Sequence, residues 1–178
     1  MYKRIMTALL ALMCLVPALA EGAVLAGDGY TMAYPEDLQL VPAEMVAAYF
    51  DDALADVQGV VDTDEALAID PDLILMASSA DGTRSVNVTY QAVDGVTALE
   101  AAQTAVDELV DAVDGLSAEG PVEETFGEHT FAAISYTLYG VRVRQCLTVA
   151  GERLYYITCT DLTDAEIETM LASFTTQD

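Results

Sequence analysis

The spacing of apolar residues predicts three amphipathic helices. Apolar side chains recur every three or four positions in these segments, which places them on one face of a helix. Two of the helices begin with a capping box, Thr97 with Glu100 and Thr163 with Glu166, in which the hydroxyl and the carboxylate satisfy backbone N–H groups of the first turn. The predicted helices span Ala43–Val57, Thr97–Leu116 and Asp164–Phe174.

Other segments have the alternating or continuously apolar pattern of β-strands. The last four strands follow one another through short turns that contain Gly127, Gly140 and Gly151, as in an antiparallel meander. The final strand is apolar on both faces, which is typical of a strand inside a sheet that is covered on both sides. The predicted strands span Gly29–Pro35, Leu38–Val41, Leu73–Ala77, Ser85–Ala92, Val122–Phe126, Thr130–Leu138, Val141–Val149 and Leu154–Thr160.

The order of these elements is two strands, a helix, two strands, a long helix, four strands and a helix. Consecutive strands joined by short turns form antiparallel pairs, and amphipathic helices bury their apolar faces on such a sheet. The sequence therefore predicts the α+β class, with an antiparallel sheet of about six to eight strands covered by helices on both faces.

The first twenty residues have the pattern of a secretory signal peptide. Lys3 and Arg4 precede an apolar run, and Ala18 and Ala20 form an A-x-A cleavage site. The run is shorter than a membrane span, so we expect cleavage after Ala20 and a protein that is secreted or held in the cell envelope. An uncleaved anchor is the alternative. Residues 21–28 are predicted to be a short linker, and residues 29–178 a single domain.

The charge balance excludes several kinds of function. The chain of 178 residues has 30 Asp and Glu against 6 Lys and Arg. Residues 1–20 contain Lys3, Arg4 and no acid, so the remainder has four arginines, no lysine and a formal charge of −26. A nucleic acid requires a basic surface for its phosphates, so we expect no nucleic-acid partner.

No segment after residue 20 approaches the about 18 to 20 consecutive apolar residues of a membrane span, so we expect no membrane-spanning segment there.

Cys146 and Cys159 lie on two consecutive predicted strands. If Gly151 and Glu152 form a two-residue turn, Cys146 faces Ile157, and Cys159 lies diagonal to Cys146 on the same face. A diagonal pair is about 7–8 Å apart at Cα, slightly beyond comfortable disulfide reach. Export favours a bridge, whereas the distance favours two buried thiols, and both alternatives stay open.

Arg142 and Arg144 share one face of a predicted strand and are half of the cations that follow the signal segment. Two guanidinium groups on one face could hold an anionic ligand. The alternative, which we favour, is that each arginine pairs with one of the many carboxylates. In the hairpin register above, Asp161 lies nearly opposite Arg142.

The segment around Asp62, Asp64 and Glu65 is rich in the oxygen ligands that Ca²⁺ prefers. It lacks the order of an EF-hand, in particular the glycine at the sixth position of the loop and the glutamate at the twelfth. A solvated acidic loop is therefore the favoured interpretation, and calcium is the one cofactor that the sequence suggests.

No catalytic residue is predicted. The chain contains no G-x-S-x-G motif, and its single histidine, His129, lies in a turn between two strands. A solvated turn residue is the favoured interpretation of His129. Both cysteines are placed in apolar strands, where a thiol is a poor nucleophile. We therefore expect a protein that is not an enzyme.

Two segments resemble the PsbP-like superfamily of small domains. The opening strand ends in Tyr34-Pro35, and the chain closes with the run Tyr155–Cys159 and a helix that contains Phe174. This superfamily includes the PsbP subunits of photosystems, the Mog proteins and DcrB-type envelope proteins. The resemblance covers most of residues 29–174. It implies a sheet covered by helices and a binding or assembly role without a shared catalytic residue. The chain departs from many relatives in having no tryptophan.

These observations lead to one functional hypothesis and two alternatives. The hypothesis is an exported, non-enzymatic module that binds an envelope protein or a small ligand. The first alternative is an acidic extracellular protein that binds divalent cations, with Ca²⁺ at Asp62, Asp64 and Glu65. The second is a small hydrolase that joins His129 to a serine or a carboxylate.

Overall fold

The computed structural model describes residues 24–46, 74–113 and 115–177. These residues form ten strands, two helices and the first turn of another helix at residues 43–46. The strands are β1 (Val24–Gly27), β2 (Tyr30–Ala33), β3 (Gln39–Leu40), β4 (Leu75–Ser78), β5 (Ser85–Ala92), β6 (Ala118–Phe126), β7 (His129–Leu138), β8 (Val141–Ala150), β9 (Arg153–Thr160) and β10 (Thr175–Thr176). The helices are α1 (Ala98–Ala112) and α2 (Asp164–Ala172).

The strands form two antiparallel sheets. The large sheet has seven strands in the order β3-β4-β5-β9-β8-β7-β6, and the small sheet has three in the order β1-β2-β10. The predicted antiparallel sheet and its meander are confirmed, because β6, β7, β8 and β9 pair in sequence. The strand β9 lies between β5 and β8, as its two apolar faces predict, and every residue of β9 after Arg153 is buried.

The small sheet differs from the prediction. The sequence pattern assigns residues 21–28 to a linker, whereas residues 24–27 form β1 and pair with β2. Leu25 lies opposite Met32, and both side chains are fully buried. On the other side of β2, Thr175 of β10 lies opposite Thr31. The strand β1 has a single buried residue, Leu25, and so shows no alternation that would identify it, and β10 reaches β2 from the far end of the chain.

The helix starts agree with the prediction better than the helix ends. Both capping boxes are present, with Thr97 as the N-cap of α1 and Thr163 as the N-cap of α2. The helix α1 ends at Ala112 rather than Leu116, because Val113 already has an extended backbone. The first predicted helix begins as expected after Pro42, and residues 47–57 of that prediction lie outside the described residues.

Each face of the large sheet buries its own hydrophobic cluster. On one face, α1 packs against β6, β7 and β8 through side chains that include Ala102 and Leu109. The other face is covered by α2 and the small sheet together. Met170 of α2 and Tyr30 and Met32 of β2 belong to one buried cluster. The predicted cover of helices on both faces is therefore not confirmed, because a second sheet forms part of the cover of the second face.

Candidate functional site

A cleft lies between the end of β2 and residues 165–170 of α2. Its volume is about 390 Å³. Most of the side chains that line it are apolar, and the polar ones are two glutamates and a threonine. The lining residues are Ala33, Tyr34, Pro35, Glu36, Ala165, Glu166, Thr169 and Met170. The Tyr-Pro pair of the opening strand thus forms one wall of the cleft.

The wall beside β2 is formed where this strand ends at Pro35 and the chain turns. Pro35 has no backbone N–H to donate, so the ladder of β2 does not continue through it. The carbonyl oxygen of Pro35 accepts a hydrogen bond of 3.0 Å from the N–H of Leu38, which closes a turn. Tyr34 and Leu38 are buried in the core below this turn, and burial raises the pKa of Tyr34.

The opposite wall is the first turn of α2, where Glu166 has two roles. Its carboxylate accepts hydrogen bonds of 2.8 Å from the N–H and 2.7 Å from the hydroxyl of Thr163, which completes the capping box. Its other oxygen accepts a hydrogen bond of 2.5 Å from Arg84. The hydrogen bonds from Thr163, followed by the charge of Arg84, lower the pKa of Glu166 to about 2. Glu166 is therefore an anion at neutral pH.

Arg84 joins the two walls of the cleft. It precedes β5, and its two terminal nitrogens donate to different carboxylates, Glu166 on α2 and Asp37 in the turn after Pro35. One guanidinium group thus bridges the turn and the helix.

Arg142 and Arg144 lie on one face of β8, as predicted, and both reach the start of α2. Arg142 donates to Asp164 at 2.9 Å and to the carbonyl oxygen of Leu162. Arg144 donates to Glu124 of β6 and lies 3.7 Å from the same carboxylate of Asp164. The structure therefore places both arginines in ion pairs with carboxylates.

The expected neighbour of Arg142, Asp161, is close but is not its ion-pair partner. The N–H of Asp161 donates to the carbonyl oxygen of Arg142 at 2.8 Å, so the register of the hairpin is as predicted. The guanidinium extends beyond Asp161 to Asp164 because the backbone turns there, with a φ of +50° at Asp161.

Cys146 and Cys159 are buried free thiols. The predicted register of their hairpin is confirmed, since Cys146 lies opposite Ile157 and Cys159 opposite Arg144. Burial raises the pKa of Cys146 to about 12, and it raises the pKa of Cys159 well above the usual value for a thiol. Both side chains are protonated at neutral pH, so neither is an activated nucleophile.

His129 is the first residue of β7 and packs against aromatic rings. Its ring centre lies 5.1 Å from that of Phe174 and 6.3 Å from that of Phe131, both in edge arrangements. Within the described part of the chain, no hydrogen bond joins His129 to a serine, a cysteine or a carboxylate. The expected solvated turn residue is instead a half-buried neighbour of the core.

Several predicted sites lie outside the described residues. These are the cleavage site at Ala18 and Ala20 and the acidic segment with Asp62, Asp64 and Glu65. Among the residues that the structure does describe, no group of three His, Cys, Asp or Glu side chains could hold a metal ion. The same residues include no helix that is long and apolar enough to cross a membrane.

Comparison with protein-family models and with curated proteins finds no match. Among solved structures, cyanobacterial PsbP (CyanoP) from Synechocystis is similar, with a TM-score of 0.54 and 14% identity over 91% of this chain and 97% of that chain. The likeness to CyanoP confirms the predicted PsbP-like fold, and at this identity it shows the fold alone.

Two further structures are more distant. A crystal structure from Bacteroides thetaiotaomicron has a TM-score of 0.48 and 12% identity over 89% of this chain and 50% of that chain. The present chain thus spans half the length of that protein. LpqN of Mycobacterium tuberculosis, a protein involved in cell envelope biogenesis, has a TM-score of 0.40 and 10% identity over 84% of this chain and 83% of that chain.

Sequence reasoning did not identify Arg84 as a residue of the site. Its partners, Asp37 and Glu166, are 47 and 82 residues away, and no local pattern connects them. The capping box is the only local pattern that involves these residues, and it predicts only that Glu166 lies in the first turn of a helix. The family resemblance includes Tyr34 and Pro35 but implies no cleft.

Proposed function

We propose that the protein is an exported, non-enzymatic domain of PsbP-like fold that binds a partner protein through the cleft beside α2. The observation that carries this proposal is the cleft itself, with an apolar lining, a volume of about 390 Å³ and walls joined by Arg84. Concave sites of about 300–1,000 Å³ with mainly apolar walls and a few polar groups are typical of binding sites.

The chemistry of the lining favours an apolar side chain that is followed by a basic one. Tyr34, Pro35 and Met170 supply apolar surface. Glu36 is an exposed carboxylate at the rim, whereas the ionised carboxylate of Glu166 is already paired with Arg84. A partner segment would therefore bury its apolar side chain in the cleft and place a lysine or an arginine near Glu36.

Three observations support export and a role without catalysis. The amino-terminal twenty residues have the pattern of a signal peptide. Both thiols are buried and protonated at neutral pH. The single histidine packs on Phe131 and Phe174 and has no acidic or nucleophilic partner in the described part of the chain.

The experiment is quantitative capture of envelope proteins from the native host on the immobilised protein. Ala165 is exposed and lines the cleft, so Ala165→Phe fills the cleft without disturbing the core. Ala172 is exposed on the same helix but does not line the cleft, so Ala172→Phe is the matched control. We expect Ala165→Phe to reduce recovery of the partner at least about 10-fold, and Ala172→Phe to leave it unchanged. Equal recovery by all three proteins would exclude the cleft as the binding site.

A further inference from the structure

Strand β6 forms one edge of the large sheet. It pairs with β7 on one side, and within the described part of the chain no strand pairs with its other side. Val122, Glu123 and Thr125 are exposed there, Val122 to 56% of its surface. An exposed edge strand presents backbone N–H and C=O groups, to which an extended segment of another protein can add as a further strand.

The register of the hairpin shows which backbone groups of β6 point outward. Phe126 and His129 flank the two-residue turn between β6 and β7, so they form a hydrogen-bonded pair of the antiparallel ladder. The next pair is not hydrogen-bonded, so the backbone groups of Thr125 and of its partner Thr130 point away from each other. The structure agrees, since the carbonyl oxygen of Thr130 accepts a hydrogen bond of 2.9 Å from the hydroxyl of Thr148 on β8. The N–H and C=O of Thr125 therefore point outward from the sheet.

The two halves of β6 differ in their protection against strand addition. In the first half, Pro121 has no N–H and the register shifts between residues 119 and 122, and both features protect an edge. From Val122 to Phe126 the register is regular, and we call this part the open edge. Glu123 lies two positions before Thr125, so its N–H and C=O also point outward. The open edge thus offers two donors and two acceptors at the spacing of a β-ladder.

On the α2 side of the sheet, the open edge favours an apolar partner. Val122 lies opposite Ala133, which belongs to the buried cluster under α2, so both side chains are on this side. Glu124 is on the same side, two positions further along the strand, and is paired with Arg144 of β8. An added strand would therefore meet an exposed valine and a carboxylate that already has a counter-charge, which apolar side chains complement.

On the α1 side, the open edge is acidic. Glu123 lies opposite Ala132 of the α1-side cluster, and its side chain is exposed. Residues 118–128 contain four glutamates and no lysine or arginine, and Glu119 and Glu128 near the two ends of this segment are exposed as well. An added strand with lysine or arginine on this side would gain an opposite charge beside Glu123.

A second copy of this chain is not the occupant that these charges favour. Antiparallel pairing of two open edges would place the Glu123 side chains of both copies at opposite or neighbouring positions of one face, where like charges repel. The chain after residue 20 also has a formal charge of −26, which adds to the repulsion between copies. The charge pattern therefore favours a basic partner.

We propose that the open edge binds an extended segment of a basic partner protein by strand addition. The segment alternates lysine or arginine, on the α1 side beside Glu123, with apolar side chains on the α2 side beside Val122. Its backbone pairs with the outward N–H and C=O groups of Glu123 and Thr125. No residue of β6 lines the cleft beside α2, so Ala165→Phe should leave this binding unchanged, and failure of either site can be recognised separately.

The test compares two fluorescein-labelled peptides of identical composition on the full chain. One alternates four lysines with three valines, and the other has the lysines and the valines in separate blocks. Binding is measured by fluorescence anisotropy in about 0.15 M NaCl, which screens general attraction to an acidic protein. We expect the alternating peptide to bind with a Kd at least about 10-fold lower, because only this peptide places all lysines on one face of an added strand.

Two pairs of variants locate the binding at the open edge. Thr125→Pro removes the outward N–H, whereas Thr125→Val loses the same hydroxyl and keeps the N–H. We expect a Kd about 10-fold higher in Thr125→Pro than in Thr125→Val. Glu123→Gln removes the charge beside the lysines, and Glu44→Gln makes the same change at an exposed position shortly after β3, the strand at the other edge of the sheet. We expect Glu123→Gln to raise the Kd about 2- to 5-fold and Glu44→Gln to leave it unchanged.

Amide hydrogen exchange separates strand addition from attraction between charges. In the free protein we expect the outward N–H groups of Glu123 and Thr125 to exchange faster than that of Glu124, which is directed toward β7. The alternating peptide should slow the exchange of Glu123 and Thr125 at least about 10-fold, whereas charge attraction alone would leave it unchanged.

Several results would overturn the proposal. These are equal binding of the two peptides, equal binding by Thr125→Pro and Thr125→Val, and unchanged amide exchange. A dimer in sedimentation without peptide, with the amides of Glu123 and Thr125 already protected, would assign the open edge to a second copy instead. If Thr125→Pro does not fold, the exchange of these two amides in the wild type decides: slower exchange with the alternating peptide supports the site, and no change overturns it.

Discussion

The guanidinium group of Arg84 lies 2.5 Å from the carboxylate of Glu166, 82 residues further along the chain. The same guanidinium binds Asp37, so three segments that are distant in sequence meet at one side chain. Glu166 also closes the capping box of α2 through Thr163. Glu166 and Arg84 therefore link the start of α2 to the turn on the other side of the cleft.

This arrangement predicts a specific loss of stability in acid. The hydrogen bonds from Thr163 and the charge of Arg84 lower the pKa of Glu166 from 4.5 to about 2, so the folded protein binds this proton less readily than the unfolded chain. Its contribution is complete above about pH 4.5 and is lost as the pH falls toward about 2. In Glu166→Gln the amide can still cap the helix, so only the charge is removed. We expect the Tm to fall by about 1–4 °C at pH 7 and to equal that of the wild type near pH 2, as measured by circular dichroism.

The other capping box provides the control for this prediction. Glu100 caps α1 through Thr97 in the same way, and no arginine pairs with it in the described residues. The pKa of Glu100 is also lowered, mainly by the backbone N–H of Thr97. Glu100→Gln should therefore lose less stability at pH 7 than Glu166→Gln. Identical pH profiles for the two variants would show that the ion pair with Arg84 contributes nothing.

Removal of the Phe174 ring should destabilise the protein strongly. Phe174 is 2% exposed, and its ring centre lies 5.3 Å from that of Tyr155 and 6.0 Å from those of Tyr30 and Phe131. We expect Phe174→Ala to lower the free energy of unfolding by about 3–5 kcal/mol, as measured by urea denaturation. Phe126 is only partly buried beside the same cluster, so Phe126→Ala should cost less. The opposite order would contradict the placement of Phe174 at the centre of this core.

We expect Tyr139 to destabilise the folded protein because of its backbone conformation. It lies in the turn between β7 and β8 with a φ of +51°, and 95% of its surface is exposed. A left-handed backbone costs an ordinary residue about 1–2 kcal/mol, whereas asparagine adopts it readily. We expect Tyr139→Asn to raise the free energy of unfolding by about 0.5–1 kcal/mol. Gly140 has a φ of +84° in the same turn, so Gly140→Ala should lower the free energy of unfolding. Destabilisation by Tyr139→Asn would mean that the tyrosine ring makes a stabilising contact.

The two buried thiols should be unreactive in the native protein. Burial raises the pKa of Cys146 to about 12 and raises that of Cys159 as well, so the nucleophilic thiolate is absent at pH 8. We expect iodoacetamide to modify neither cysteine in the folded protein and both in urea, as counted by intact mass. A protein that remains unmodified in urea without reductant, and is modified after reduction, would contain the disulfide instead.

Local patterns predicted the elements whose signals lie within a few neighbouring residues. The capping boxes at Thr97 and Thr163 and the strand Ser85–Ala92 agree with the structure because backbone capping and two-residue periodicity are properties of adjacent positions. The pairing of Cys146 with Ile157 was predictable for the same reason, since a two-residue turn determines the register of its hairpin.

The sequence by itself determined the α+β class, the meander, the helix starts and the burial of both cysteines, because these follow from periodicity and short turns. Only the tertiary structure decided that β1 and β10 join β2, that Arg142 pairs with Asp164, and that Arg84 joins the walls of a cleft. The physical reason is that an acidic chain offers each arginine many equivalent carboxylates. The three-dimensional path of the backbone alone determines which of them come within reach.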